Sequence, residues 1–376
     1  MNTDQLAAEV AKADLPGLAA MIVSAQDVLM EHSEGFAIIE SGVPMSLDTP
    51  CQIASMTKAL VSVAAMQLVE RGLLELDAPI DQYLPELAEP QVLTGFDSEG
   101  APQTRPASQA ITLHHLLTHT SGFGYPFAQA QVLQYFTATG MPEPGTRQAI
   151  TMPLLFEPGT DWAYGVSSDW VGLAIEAVTG QRLGDYLRRE VLEPLGMQNT
   201  GFFAAPPANL AGVYSRLPEG GFANLPIFLG GGEFDSGGGG LVSTTRDYSR
   251  FLQAMLREGE LHGKRILEAE TVALMQRNQI GELRAGNFGS AMPQLTNSFD
   301  PLPDQHCGWG LGFMLNPQSV PKGRAAGSMA WAGIFNSYFW IDPASDKAGI
   351  MMTQLSPFAD ARALKAFAAL EHTAYA

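Results

Sequence analysis

The two ends of this chain read as strands and its middle reads as helix, and that arrangement limits the fold more than any single motif. Residues 19–39, AAMIVSAQDVLMEHSEGFAII, carry two apolar clusters broken near Gln26-Asp27, the pattern of a β-hairpin. From about residue 307 the strand signal returns. CGWGLGFML, SMAWAGIFNSYFWID and KAGIMMTQL are rich in aromatic and branched residues and are separated by Pro, Gly, Asp and Asn. From about 111 to 280 the pattern is mainly helical with long loops. SSDWVGLAIEAVTG, RLGDYLRREVLEPLGM, TTRDYSRFLQAMLREG and LEAETVALMQRNQIG show it, several with Ser or Thr near the start and Gly at the end. DARALKAFAALEHTAYA closes the chain as helix, and TGFDSEGAPQTRPA (94–107) reads as a surface excursion punctuated by Gly and Pro. A sheet built from both chain ends, with flanking helices and a mainly helical insertion, is an α+β fold. No internal repeat or Pro/Ser-rich linker divides the 376 residues. The expectation is one domain, with an α/β lobe over about 1–75 and 290–376 and a helical lobe over about 76–289.

Composition narrows the function. The net charge is −18, with 46% hydrophobic and 16% charged residues. So acidic a globular chain is a poor binder of nucleic acid or anionic membranes, which need clustered Lys and Arg. No apolar run approaches the length of a membrane span. The N-terminus, MNTDQLAAEVAKADLPG, has apolar Leu6 and Val10 at helical spacing but lacks the basic start and apolar stretch of a secretory signal. A cytoplasmic location is expected. Cys51 and Cys307 are too few for a disulfide framework, and no C-x-x-C occurs. Nothing in the pattern sets an oligomeric state.

The chemistry starts at CQIASMTKALVS (51–62), where a lysine sits inside a long apolar run. Ser55 to Arg71 reads as a buried helix stopped by Gly72. Residues three apart on a helix share a face, so Lys58 lies within reach of Ser55. Apolar neighbours disfavour a charged ammonium, and a neutral amine can take a proton from serine. A helix N-terminus adds free N–H groups that favour developing negative charge. The bland alternative is a lysine whose stem covers apolar surface while its head reaches water. Ser319-Val-Pro-Lys322 has the same spacing, but its proline and turn-like context cannot present both side chains from one helical face.

Two further stretches could complete a site. In EPGTDWAYGVSSDWVG (157–172), Tyr164 lies in a loop just before a helix, where a phenol could relay a proton between serine and lysine. Asp169, near that helix start, suits the helix dipole and could orient Tyr164. In AGSMAWAGIFNSYFWIDP, the small pair Ala332-Gly333 after Trp331 lets a strand edge approach a substrate closely, as an oxyanion donor must.

SMTK, PGTDWAY and WAGIFNSYFWIDP, in this order and spacing, resemble the serine β-lactamase and penicillin-binding-protein superfamily. ITLHHLLTHTSGFGY (111–125) and GGGGLVSTTRDYSRFL (237–252) resemble it too, so the likeness covers nearly the whole chain. Within it the chain looks most like the family VIII carboxylesterases related to class C β-lactamases, and like the fungal acyltransferases of statin biosynthesis. The resemblance implies a β-lactamase/transpeptidase-like fold, Ser55 as nucleophile, and Lys58 with Tyr164 as the base system. It implies an oxyanion hole from the backbone N–H groups of Ser55 and Ile334, with Tyr125, Asp169, Trp331, Ala332 and Gly333 around the substrate. No cofactor is implied, and the partner is a small-molecule ester. Two departures matter. Class C β-lactamases carry Tyr-x-Asn and Lys-Thr-Gly; here Val166 and Trp331-Ala332-Gly333 stand in those places. Losing a cation and an amide favours a neutral ester over an anionic lactam. Acyl transfer, hydrolysis of amides or D-amino-acid peptides, and an inactive binding protein on the same scaffold are the rival readings.

Other signals carry less. His115 and His119 have metal-ligand spacing, but Leu116 stands where H-E-x-x-H needs Glu. With the resemblance, HHLLTHTSG reads as a structural turn rather than a metal site. Gly230–Gly232 and Gly237–Gly240 lack the Lys-Ser or Lys-Thr of a phosphate loop, and read instead as places of close backbone approach. G-x-S-x-G is absent, which removes the nucleophile elbow of the α/β-hydrolases.

Overall fold

Strands from the two chain ends hydrogen-bond into one eight-stranded antiparallel sheet. They are β1 (Gly17–Val23), β2 (Val28–Ile38), β3 (Val43–Pro44), β4 (Gly308–Trp309), β5 (Met314–Leu315), β6 (Met329–Gly333), β7 (Ser337–Asp342) and β8 (Lys347–Met352), in the order β4-β5-β6-β7-β8-β1-β2-β3. The structure is a computed structural model that describes residues 3–376, with side chains from Ala7 onward. The side chain of Leu6 therefore lies outside the described residues. The junction that unites the ends is β1 against β8, with Ala19 opposite Met352 and Val23 opposite Ala348.

Every residue of β7 is buried because both faces of the sheet are covered. Side chains alternate along a strand. Tyr338 and Trp340 pack on Phe367 of the C-terminal helix (Ala361–Tyr375), with ring centroids 5.0 and 5.5 Å away. Phe339 turns the other way, onto Tyr248 of the helix Thr245–Leu256, at 5.4 Å. Gly349 faces Trp340 across the β7–β8 ladder. A Cβ there would lie 2.0 Å from the indole ring. Gly349→Ala is therefore expected to lower stability by about 1–3 kcal/mol through overpacking, read as a lower urea midpoint at unchanged slope.

The buried helix in the middle of the molecule, Thr57–Glu70, is apolar on nearly all sides, and Thr57 to Leu68 are all buried. It is entered through a 3-10 turn, Ala54–Met56, and it ends where Gly72 takes φ +66°. Two segments differ from their sequence reading. The excursion at 94–107 is part of a hairpin, Gln91–Phe96 paired with Pro102–Pro106. Asp97 closes it by accepting from the backbone N–H of Glu99 and Ala101, a local turn that periodicity does not register. The helical middle also holds short strands, such as Val213–Arg216 and Leu241–Ser243, too brief to show alternation. Among the described residues, no helix is long and apolar enough to cross a membrane.

Candidate active site

Ser55 sits in the 3-10 turn and Lys58 one turn further on, in the first turn of the buried helix. The Lys58 Nζ lies 3.2 Å from Ser55 Oγ, 3.1 Å from Tyr125 Oη and 2.6 Å from the carbonyl oxygen of Gly238. The residue is 1% exposed, so these three oxygens replace water around the amine. Their chemistry is unequal. The Gly238 carbonyl can only accept, whereas the two hydroxyls can donate or accept. A neutral amine can thus donate to Gly238 and Tyr125 and accept the proton of Ser55.

The two tyrosines meet Lys58 in different ways. Tyr125 Oη accepts a hydrogen bond from Lys58, and burial holds its phenol well above the usual range, so it stays protonated. Tyr164 meets Lys58 through its ring face, 4.8 Å from Nζ to the centroid. Its hydroxyl accepts from the indole N–H of Trp331 at 3.1 Å, which turns it towards β6. The two tyrosine rings lie 5.3 Å apart, so both border one space around the amine.

Asp169, in the first turn of the helix Ser167–Thr179, is buried. Its Oδ1 accepts from Ser236 Oγ at 2.6 Å and from Gly238 N–H at 3.0 Å. It therefore fixes the glycine loop; no hydrogen bond joins it to Tyr164. Burial raises its carboxyl above the usual range, opposed by the Ser236 bond and the charge of Lys58. The chain of contacts runs Asp169, Gly238, Lys58, Ser55. Sequence reasoning expected close approach from the Gly237–Gly240 run but missed that Gly238 holds the lysine. A Cβ on Gly238 would lie 2.4 Å from Asp169 Oδ2 and 2.9 Å from Tyr125 Oη. Gly238→Ala is expected to fold yet lose about 10²-fold in ester turnover, since small misplacements of catalytic groups cost that much. Steady-state rates beside a circular dichroism spectrum check this.

Trp331, Ala332 and Gly333 end β6. A Cβ on Gly333 would lie 2.4 Å from the carbonyl oxygen of Ile53, so only glycine lets this edge come so near the turn that carries Ser55. Ile334 is the next residue, beyond the last ladder pair of β6 and β7. Lys322 lies in a turn at φ +58° and Ser319 precedes that turn outside any helix, so the two do not share a helical face.

The histidines are structural neighbours of the site. His115 forms a capping box with Thr112 on the helix Leu113–Leu117. His119, at φ +57°, is buried with its ring 5.1 Å from that of Tyr164. Burial pushes His115 down to about 4, and pushes His119 well below the usual value, helped there by the charge of Lys58. In the unfolded chain both take up protons near pH 6.5. The folded chain refuses them, so their contribution is full above that pH and is lost as pH falls towards 4. Gln suits the capping position of His115. His115→Gln should therefore reduce the fall in urea stability between pH 7 and pH 5. Among the described residues, no group of three or more His, Cys, Asp or Glu could hold a metal ion. Cys51 and Cys307 are buried free thiols, pushed up to about 12 and about 11 by burial, and so unreactive.

An antiparallel sheet from both chain ends, beside a buried helix headed by Ser-x-x-Lys, has the β-lactamase/transpeptidase-like fold. The chain belongs to the family described as Beta-lactamase, whose profile matches residues 3–374. It is 30% identical over 322 residues to a lovastatin esterase of Penicillium rubens, covering 82% of this chain and 80% of that protein. It is 31% identical over 358 residues to a monacolin J acid methylbutanoyltransferase of Aspergillus terreus, covering 89% and 83%. A solved mutant of simvastatin synthase from Aspergillus terreus superimposes with a TM-score of 0.84 at 29% identity, covering 99% of this chain and 95% of that one.

Proposed function

We propose that this protein is a serine carboxylesterase of the family VIII type, hydrolysing neutral esters of small or medium size through an acyl-enzyme on Ser55. The observation that carries the reading is the buried Lys58 amine, 3.2 Å from Ser55 Oγ and held from behind by Gly238. With Lys58 in its neutral form, Ser55 Oγ attacks the ester carbonyl while its proton passes to the amine. The backbone N–H groups of Ser55 and Ile334 receive the oxyanion. The proton then returns to the leaving alcohol from Lys58, with Tyr125 and Tyr164 beside it. Water then adds its oxygen to the acyl carbon while giving a proton to the same amine, and the amine returns that proton to Ser55 Oγ as its bond to the acyl carbon breaks and the acid leaves. Trp331 supports a neutral substrate: its indole N–H is engaged by Tyr164, and it brings no charge to the position.

The cleft in this reading lies between an α/β lobe, about 1–75 and 290–376, and a helical lobe, about 76–289. A cytoplasmic location belongs to the same reading. Acyl transfer is the second reading, because one relative is named as a methylbutanoyltransferase beside another named as an esterase. The same acyl-enzyme serves both, and only the acceptor differs. The test is initial rates on p-nitrophenyl butyrate and on a chromogenic cephalosporin, with and without an added alcohol. Fast ester turnover, slow lactam turnover and butyric acid as the main product fit the esterase. A butyrate ester of the added alcohol as main product would move the assignment to transfer. Lactam turnover equal to ester turnover would overturn it.

A further inference from the structure

Two half-buried phenylalanines border the Ser55 site and take no part in the chemistry above. The ring of Phe127 lies nearly parallel to Tyr125, with centroids 4.7 Å apart and planes at 18°. The ring of Phe288 lies nearly parallel to Tyr164, at 5.4 Å and 16°. The two phenylalanines meet edge to face at 6.5 Å. Four rings therefore form one continuous wall, and Tyr125 joins it to the nucleophile through Lys58.

The wall is fixed by backbone rather than by side chains alone. The N–H groups of Ala291 and Met292 both donate to the carbonyl of Phe127, at 2.8 and 3.2 Å. Phe288 and Phe299 exchange two hydrogen bonds of 3.0 Å, and Asn297 N–H donates to the carbonyl of Phe358 at 2.9 Å. Phe299 and Phe358 then back Phe288, at 5.5 and 6.1 Å. Phe127 and Phe288 nonetheless keep part of their surface open. An aromatic face held in place loses little freedom when a ligand lies against it. Such faces prefer other rings, stacked or edge-on. The wall consists of two tyrosines and two phenylalanines, so it offers a ligand π faces rather than ion-pair partners.

We propose that Phe127 and Phe288 are the specificity-determining residues of this site, and that they select neutral esters with a ring in the acyl or alcohol half over linear esters. The proposal rests on the esterase reading for turnover but not for binding, so it is tested on binding. Full-length protein carrying Ser55→Ala is titrated with phenyl butyrate, butyl benzoate and hexyl butyrate. At least one ring ester should bind about tenfold tighter than hexyl butyrate. Preference for phenyl butyrate alone places the ring in the alcohol half; preference for butyl benzoate alone places it in the acyl half. Adding Phe288→Leu or Phe127→Leu should remove most of that preference and leave hexyl butyrate affinity little changed, and Phe288→Trp should keep it. Equal affinity for ring and linear esters overturns the proposal without any folded variant being needed. An undiminished ring preference in a folded leucine variant overturns it too. Turnover of the same esters by protein with Ser55 intact is the separate readout: ring preference without turnover sinks the esterase, and turnover without ring preference sinks the wall.

Discussion

Ser55→Ala will lose ester turnover by at least roughly 10³-fold and keep its fold. The change removes one oxygen from a half-exposed residue in the 3-10 turn, and alanine is compatible with that turn, which already holds Ala54. The backbone N–H of residue 55 remains, so the oxyanion donor survives and leaves a residual rate. The loss should fall on kcat rather than KM, because the oxygen makes its bond to carbon only as the transition state forms. Rates on p-nitrophenyl butyrate, with an unfolding curve for each protein, measure both halves of the claim. A variant that turns over ester at more than about a tenth of the native rate would remove Ser55 from the chemistry.

Lys58→Met will lose about 10²–10⁴-fold, the usual range for a positioned acid–base group. Methionine keeps much of the stem's apolar volume in a site that is 1% exposed. It takes away the side chain that touches Ser55 Oγ, Tyr125 Oη and the Gly238 carbonyl together. Leaving the Gly238 carbonyl without its donor costs about 1–3 kcal/mol, so stability should fall as well. Lys58→Arg should not rescue activity, because a planar guanidinium fork does not fit a point-charge site ringed by three oxygens. Near-native turnover in a folded Lys58→Met protein would return the residue to the bland role of covering apolar surface.

These outcomes bear on how far residues could be read in advance. The hairpin at 19–39, the strands after 307 and the buried helix after Ser55 were legible because their periods are long and their breakers are Gly, Pro and Asp. That both chain ends share one sheet could be read from the same pattern; that β1 pairs with β8 is a finding of the structure. The hairpin at 91–106 was not legible, because its turn is set by one aspartate side chain. In the site, Ser55 with Lys58 could be read because one helical turn relates them. That the Tyr125 hydroxyl hydrogen-bonds Lys58 while Tyr164 turns its ring face to it could not. Which hydroxyl reaches Lys58 depends on the indole of Trp331, more than 160 residues away in sequence. Gly238 was legible only as a place of close approach; its partner Asp169 comes from another element. Phe288 carries no local signal, and its place on Tyr164 is fixed by a loop latched to Phe127.

The most direct test of the central claim is an intact-mass and peptide-mass measurement on protein quenched in acid within the first turnovers of p-nitrophenyl butyrate. The account predicts a butyryl adduct on the peptide that carries Ser55. The adduct should be absent from Ser55→Ala, and its decay should match the steady-state rate of acid release if deacylation limits turnover. An adduct on another residue, or ester turnover by Ser55→Ala at the native rate, would contradict it.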